Sequence, residues 1–179
     1  MAIGPENFDG SQRLDISVSE QGIDGVIRKM NQIAAAAQRL SPEAAMSLRG
    51  EALRLGEHLE SVVRGAAVVA LQTAVISTPV DTGLARAGWT VKVNKQSPQS
   101  HPTPETDREG LRTIEEGTTI INNTDREPGE IYWISNSQHH ITALEAGHSG
   151  QAPNGMTILA KQAGESYARN KRINFRGKL

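Results

Sequence analysis

The sequence predicts an α+β domain in which a small antiparallel sheet packs against one long helix. Short segments alternate apolar and polar residues, as half-buried strands do. A much longer segment repeats its apolar residues at steps of three and four, as an amphipathic helix does. The expected order is one strand, two helices, three strands and two helices, which favours α+β architecture. We also expect a C-terminal helix and an extended polar loop.

The first two predicted elements lie before residue 40. Leu14, Ile16 and Val18 alternate with polar residues, which predicts a strand with one buried face. Apolar residues then recur at helical spacing from Asp24 to Arg39, which predicts an amphipathic helix.

The second predicted helix begins after Ser41 and continues to about Ser77. Ser41-Pro42-Glu43 is a helix-start sequence, because Ser is a good N-cap, Pro suits the first turn and Glu complements the helix dipole. The buried stripe is predicted to contain Leu48, Ala52, Leu55, Leu59, Val62, Ala66, Val69, Thr73 and Ile76. At 1.5 Å per residue the helix is about 54 Å long. Pro79 ends it.

The remaining elements follow a strand that contains Trp89. Residues 96–116 are polar, with three prolines and five acidic residues, which predicts a long exposed loop. Two short strands are predicted over 117–123 and 131–136, separated by a turn at Pro128-Gly129. A short helix over 140–146 is expected to end at Gly147. A final helix over 154–170 would bury a face made of Met156, Leu159, Ala163 and Tyr167.

Composition narrows the class of protein. The 179 residues suffice for a single domain over 1–179, and with only six aromatic residues its core must be mainly aliphatic. The net charge of −1 gives no strong overall attraction to nucleic acid or membranes. The absence of cysteine excludes disulfides and thiolate metal sites.

Residues 1–10 lack the features of a secretory signal, and apolar runs are interrupted before the roughly 18 residues that a membrane span needs. We therefore expect a soluble protein.

The only cluster with metal-ligand character contains His139, His140, Glu145 and His148. A helical zinc site places two histidines four residues apart, whereas His139 and His140 are adjacent and point to different sides. We interpret the cluster as polar residues around a surface turn, with a metal-dependent hydrolase as the alternative. Asp81-Thr82-Gly83 is likewise interpreted as a turn in which the Asp side chain bonds its own backbone. We therefore predict no catalytic residue, no metal ligand and no cofactor.

The C-terminal segment is strongly basic. Residues 169–179 carry +5 with no acidic residue, so residues 1–168 carry −6. The basic residues are Arg169, Lys171, Arg172, Arg176 and Lys178. A basic arm over 170–179 is either a solvated tail or an assembly arm that docks on an acidic neighbour. DNA binding is a weaker alternative, because the segment has one aromatic residue, Phe175.

Two segments resemble signatures of a known family. Residues 78–89 read TPVDTGLARAGW, similar to the TPVDTG-x-L-R-x-S/G-W signature of tailed-bacteriophage neck proteins. Residues 144–149 (LEAGHS) and 151–156 (QAPNGM) resemble that family's second signature, LE-x-G-(H/T)S-x-QAP-x-GM. The chain departs from the family at Leu84-Ala85-Arg86, in its Pro-rich insertion, and at His139-His140, where an aromatic residue is common.

This resemblance implies a structural virion protein of the neck: a tail-completion, head–tail joining or minor tail component. Such a protein assembles as a six- or twelvefold ring around the DNA channel, inside the virion and first in the host cytoplasm. Its partners would be its own copies, the head connector or adaptor, the tail terminator, and tail tube or sheath proteins. A tail terminator is the alternative within this class. The motif residues, interpreted as turn formers, are Pro79, Asp81, Thr82, Gly83, Trp89, Glu145, Gly147, Pro153 and Gly155.

Overall fold

The computed structural model describes residues 2–5, 14–19, 24–95, 105–125 and 130–171. Its elements confirm the predicted α+β class, with a small antiparallel sheet against a long helix. In chain order they are β1 (Ala2–Pro5), β2 (Leu14–Ser19), α1 (Asp24–Ala37), α2 (Pro42–Ser77), α3 (Leu84–Ala87), β3 (Trp89–Val93), α4 (Leu111–Asn123), β4 (Tyr132–Asn136), α5 (Ile141–Glu145) and α6 (Thr157–Asn170).

The sheet has four strands in the order β1-β2-β4-β3, and every neighbouring pair is antiparallel. β4 lies between β2 and β3, and its register places Ile134 beside both Ile16 and Val91. These three side chains are buried in the main core, so one face of the sheet is apolar. The strands β2, β3 and β4 were predicted, whereas β1 was missed because its four residues show no apolar–polar alternation.

The long helix α2 has the predicted bounds. The Ser41 hydroxyl accepts a hydrogen bond from the Ala44 N–H at 3.3 Å, which caps the N-terminus. The C-terminus follows from Pro79, because the residue before a proline is driven to extended conformation and Thr78 adopts φ −67°, ψ 125°. The C-terminal half of α2 crosses the core, where residues such as Leu71 and Val75 are fully buried.

α6 packs on α2 through small residues. Gly65 lies against Tyr167, and a Cβ at that position would overlap the Tyr167 ring. The buried residues of α6 are Thr157, Ala160 and Gly164. Of the predicted face, Met156 is buried and Tyr167 packs against the core, but Leu159 is 41% exposed, so the prediction is wrong at Leu159. The smaller residues form the interface because they let the two helix backbones approach closely.

α1 and the first half of α2 form a helical hairpin, defined here as residues 24–59. A tight turn at residues 38–40 reverses the chain, and the Ile27 side chain lies 3.8 Å from the position of a Cβ on Gly56. Ala34 and Ala52 are buried in the hairpin but are not part of the main core cluster. The hairpin is therefore stabilised by a small apolar interface of its own.

The predicted loop over 96–116 and the predicted strand over 117–123 are wrong where they overlap α4, because residues 111–123 form a helix. Thr113, Gly117 and Ile121 are buried at the four-residue spacing of a helix, while the intervening residues are mostly exposed. The Asp107 carboxylate starts this helix by accepting hydrogen bonds from the N–H groups of Gly110 and Thr113, both at 2.9 Å. Burial raises the pKa of Asp107, but the hydrogen bonds from Thr113 and Gly110 outweigh it, and the net pKa is lowered. Residues 96–104 and the turn at Pro128-Gly129 lie outside the described residues.

α2 is the one described helix that is long and apolar enough to cross a membrane by length and composition. Half of its apolar window is buried inside the protein, against the sheet and the neighbouring helices. The same composition is expected of a helix that runs through a protein core.

Candidate functional site

Two segments with family-like sequences meet at one corner of the fold. We name residues 78–89 the first motif segment and residues 144–156 the second motif segment. The Gln151 side chain joins them: its Oε1 accepts from the Val80 N–H at 3.0 Å and its Nε2 donates to the Val80 carbonyl at 3.3 Å. The carboxamide thus pairs with the backbone N–H and C=O of a single residue, as a neighbouring strand would, 71 residues away in sequence.

Thr78 and Trp89 fix the two ends of the first motif segment. The Thr78 hydroxyl donates to the Ala74 carbonyl at 2.7 Å and accepts from the Trp89 indole N–H at 2.8 Å. Thr78 is 1% exposed and Trp89 is 3% exposed, so the indole donor is satisfied inside the core. Thr78 was not singled out from the sequence, although it begins the TPVDTG motif.

The turn itself depends on Gly83. Gly83 adopts φ +94°, and a Cβ there would lie 2.7 Å from the Arg108 backbone nitrogen. Its carbonyl accepts from the Ala87 N–H at 3.0 Å, which begins α3. Thr82, and not Asp81 as predicted, supplies a side-chain bond to the turn backbone, because its hydroxyl accepts from the Leu84 N–H at 3.3 Å. Asp81 is exposed, and its carbonyl accepts from Arg108 at 2.7 Å.

Arg86 closes the C-terminus of α2. Its guanidinium donates to the carbonyls of Ile76 at 3.1 Å, Thr78 at 3.0 Å and Arg108 at 2.6 Å. A cation at a helix C-terminus satisfies carbonyls that lack intrahelical partners and complements the helix dipole. Arg86 therefore ties the end of α2 to the segment that precedes α4.

Asn136 anchors the first motif segment to the sheet. It is fully buried at the end of β4, where its Nδ2 donates to the Ala85 carbonyl at 2.8 Å and its Oδ1 accepts from the Gln138 N–H at 3.1 Å. Gly88 leaves room for this side chain, since a Cβ there would lie 2.7 Å from Asn136 Oδ1. Arg86 and Asn136 were both missed as site residues in the sequence.

The second motif segment is arranged around the start of α6. The Glu145 carboxylate accepts from the N–H groups of Met156 at 2.7 Å and Thr157 at 3.2 Å, and also from the Thr157 hydroxyl. It therefore satisfies free donors at the positive end of the helix. Gly147 and Gly155 adopt φ +83° and +74°. A Cβ on Gly147 would lie 2.6 Å from the Pro153 carbonyl oxygen.

A cleft of about 430 Å³ lies between the two motif segments. His139, His140 and His148 line it together with residues of both segments. The rings of His139 and His140 are 4.7 Å apart at an interplanar angle of 72°. Burial lowers the pKa of His140, and the neighbouring His139 lowers it further. Among the described residues, no group of three His, Cys, Asp or Glu side chains could hold a metal ion.

Only part of the predicted C-terminal arm falls within the described residues. Arg169 lies in the last turn of α6 and pairs with Glu165 at 3.7 Å. The Lys171 ammonium lies 5.1 Å from the centre of the Tyr167 ring. Arg172, Arg176 and Lys178 lie outside the described residues, so the arm stays a prediction.

Comparison of the sequence with family models and curated proteins, and of the fold with solved structures, finds no match.

Proposed function

We propose that this chain is a non-catalytic structural protein of the neck of a tailed bacteriophage. In this proposal it assembles as a symmetric ring that completes the tail and joins it to the head connector around the DNA channel. The observation that carries the proposal is the pairing of Gln151 with Val80, which unites the two segments that resemble neck-protein signatures.

The hydrogen bonding of the corner supports a structural role. Thr78, Arg86 and Glu145 direct their polar groups chiefly to backbone atoms, at the end of α2 or the start of α6. Asn136 does the same inside the core. Polar groups used in this way hold a fixed geometry and are not available as nucleophiles or bases. A ring subunit needs such reproducible corners, because small errors in subunit shape prevent a ring from closing.

The proposal is tested in host cells that produce particles of the phage whose genome encodes this chain. Removal of the chain should leave filled heads and separate tails of normal length, and supplying wild-type protein should restore joined particles. Abnormally long tails would instead identify a tail terminator, the alternative within the same class. Normal yields of joined, infectious particles without the chain would overturn the proposal.

A metal-dependent hydrolase is the alternative from a different class, because His139, His140 and His148 line one cleft, although these side chains do not form a group that could hold a metal ion. Elemental analysis of the purified protein separates the two functions. Zinc at one equivalent per chain, lost in a His140→Ala variant, would favour the hydrolase.

A further inference from the structure

The helical hairpin presents a basic surface that is also apolar. On α1, Val26 and Ile33 are about half exposed, and Leu40 in the following turn is 90% exposed. Val26, Lys29 and Ile33 are spaced by three and four residues, so they share one side of α1. Lys29 is exposed, and so are Arg39 and Leu40 in the turn that follows α1. Residues 25–40 contain three basic residues and no acidic residue, a net charge of +3, whereas the whole hairpin has five basic and four acidic residues, a net charge of +1. The basic surface is therefore confined to α1 and the turn that follows it.

A second surface has the opposite charge. Residues 105–125, which contain α4, have six acidic and two basic residues, a net charge of −4. Glu115 and Glu116 are exposed on α4. Leu111 at its start is 69% exposed, and Ile120 is also exposed. Leu111 and Glu115 lie on one edge of the exposed side of α4, and Glu116 and Ile120 lie on the opposite edge, because nine residues make about two and a half helical turns. Each edge therefore combines an acidic side chain with an apolar one, as a complement to the hairpin surface.

The two surfaces lie along different stretches of α2. α1 runs back along the first half of α2, with Ile27 beside Gly56. α4 packs along the second half, from Arg64, which donates to the Asn122 carbonyl, to Val75 beside Gly110. The midpoints of these two stretches of α2 are roughly 20 residues apart, or about 30 Å along a continuous helix.

We infer that the basic hairpin surface of one copy docks on the acidic α4 surface of the next copy. The inference rests on the proposed ring and names its subunit interface. Burial of the exposed apolar side chains supplies the contact energy, and the opposite charges fix which surfaces meet. The contact joins two different surfaces, so each copy keeps one of each surface free for the next neighbour. Head-to-tail contacts of this kind close into rings. A contact between the α1 sides of two hairpins, in contrast, would oppose like charges.

Charge reversal tests the interface with three variants of the full chain. The hairpin variant carries Lys29→Glu and Arg39→Glu, and the α4 variant carries Glu115→Lys and Glu116→Lys. The control carries Lys92→Glu and Lys95→Glu, which change the charge by the same amount as the hairpin variant at exposed positions outside residues 24–59 and 105–125. Light scattering measures the mass in solution over a range of protein concentrations at low and high salt.

Wild type and control should form assemblies larger than dimers, held less tightly at high salt because exposed charges are screened. Each interface variant alone should associate about tenfold more weakly at low salt. An equal mixture of the two should recover assemblies larger than dimers, because each hairpin again faces an α4 surface of opposite charge. Variants that assemble like wild type, a mixture that stops at dimers, or a wild-type protein that stays monomeric at every concentration would each overturn the inference.

The particle assay separates this inference from the proposed function. If the chain is needed for joining heads to tails but both interface variants support normal joining, the interface is wrong and the proposed function stands. If the charge-swapped mixture assembles as expected but particles join without the chain, the interface stands and the proposed function fails.

Discussion

Replacement of Thr78 by valine is expected to destabilise the fold through the indole of Trp89. Valine has nearly the same shape as threonine, so the change removes the hydroxyl without creating a cavity. The Trp89 N–H, now 2.8 Å from the Thr78 hydroxyl, would remain in the core without an acceptor. A buried donor left unsatisfied costs about 1–3 kcal/mol. For a chain of this size 1 kcal/mol shifts Tm by about 2–4 °C, so a cost of about 2 kcal/mol lowers Tm by about 4–8 °C.

The matched control is Thr73→Val, in the last turns of α2 just before Thr78. The Thr73 hydroxyl donates to the Val69 carbonyl at 2.8 Å, the same i to i−4 bond that Thr78 makes with Ala74, but accepts nothing from Trp89. We expect the control to stay within about 0.5 kcal/mol of wild type, as partly exposed substitutions usually do. Urea unfolding followed by tryptophan fluorescence gives both free energies. Equal losses in the two variants, or no loss in Thr78→Val, would refute the role of the indole bond.

Three further predictions concern the corner, α4 and the C-terminus. Gly83→Ala should cost about 1–3 kcal/mol because φ is +94° and the Arg108 backbone blocks a Cβ, whereas Gly150→Ala, in open space, should be near neutral in the same unfolding assay. The lowered pKa of Asp107 stabilises the fold above its unfolded pKa of 3.8, and this contribution is lost as pH falls through the lower folded value. The stability gap between wild type and Asp107→Asn should therefore shrink in acid, and a gap that widens there would contradict the capping role. Truncation after Arg169 should reduce the yield of joined particles, and normal yields would show that the basic tail is only solvated.

The ends of the helices α2 and α5 could be predicted because they depend on residues close by in the sequence. Ser41 and Pro79 set the ends of α2, and Gly147 follows the end of α5. α4 was missed because its cap is remote: Asp107 reaches over Gly110 to Thr113, and Thr and Ile residues near 117–123 also suit a strand.

The pairings within the site could not be predicted, because they join segments that are distant in sequence. Gln151 meets Val80 and Asn136 meets Ala85 only after the sheet and α2 are in place. The glycines of the two motif segments were easier to predict than these pairings, because a tight reversal of the chain needs a residue with positive φ whatever surrounds it. Arg86 gave a weak signal: a cation shortly after a helix end can cap that end, but the sequence does not say which carbonyls it reaches.

The length of α2 lets the hairpin project from the rest of the fold. The second half of α2 is held in the core, with Gly65 against Tyr167 of α6 and Val75 beside Gly110, while the first half carries the hairpin beyond the main core. The projecting part is roughly 18 residues, or about 27 Å, so a tilt of roughly 5° where the helix leaves the core moves its tip by about 2 Å. A small change in packing near Gly65 is therefore felt at the hairpin, whereas the corner at the other end of α2 keeps its hydrogen bonds.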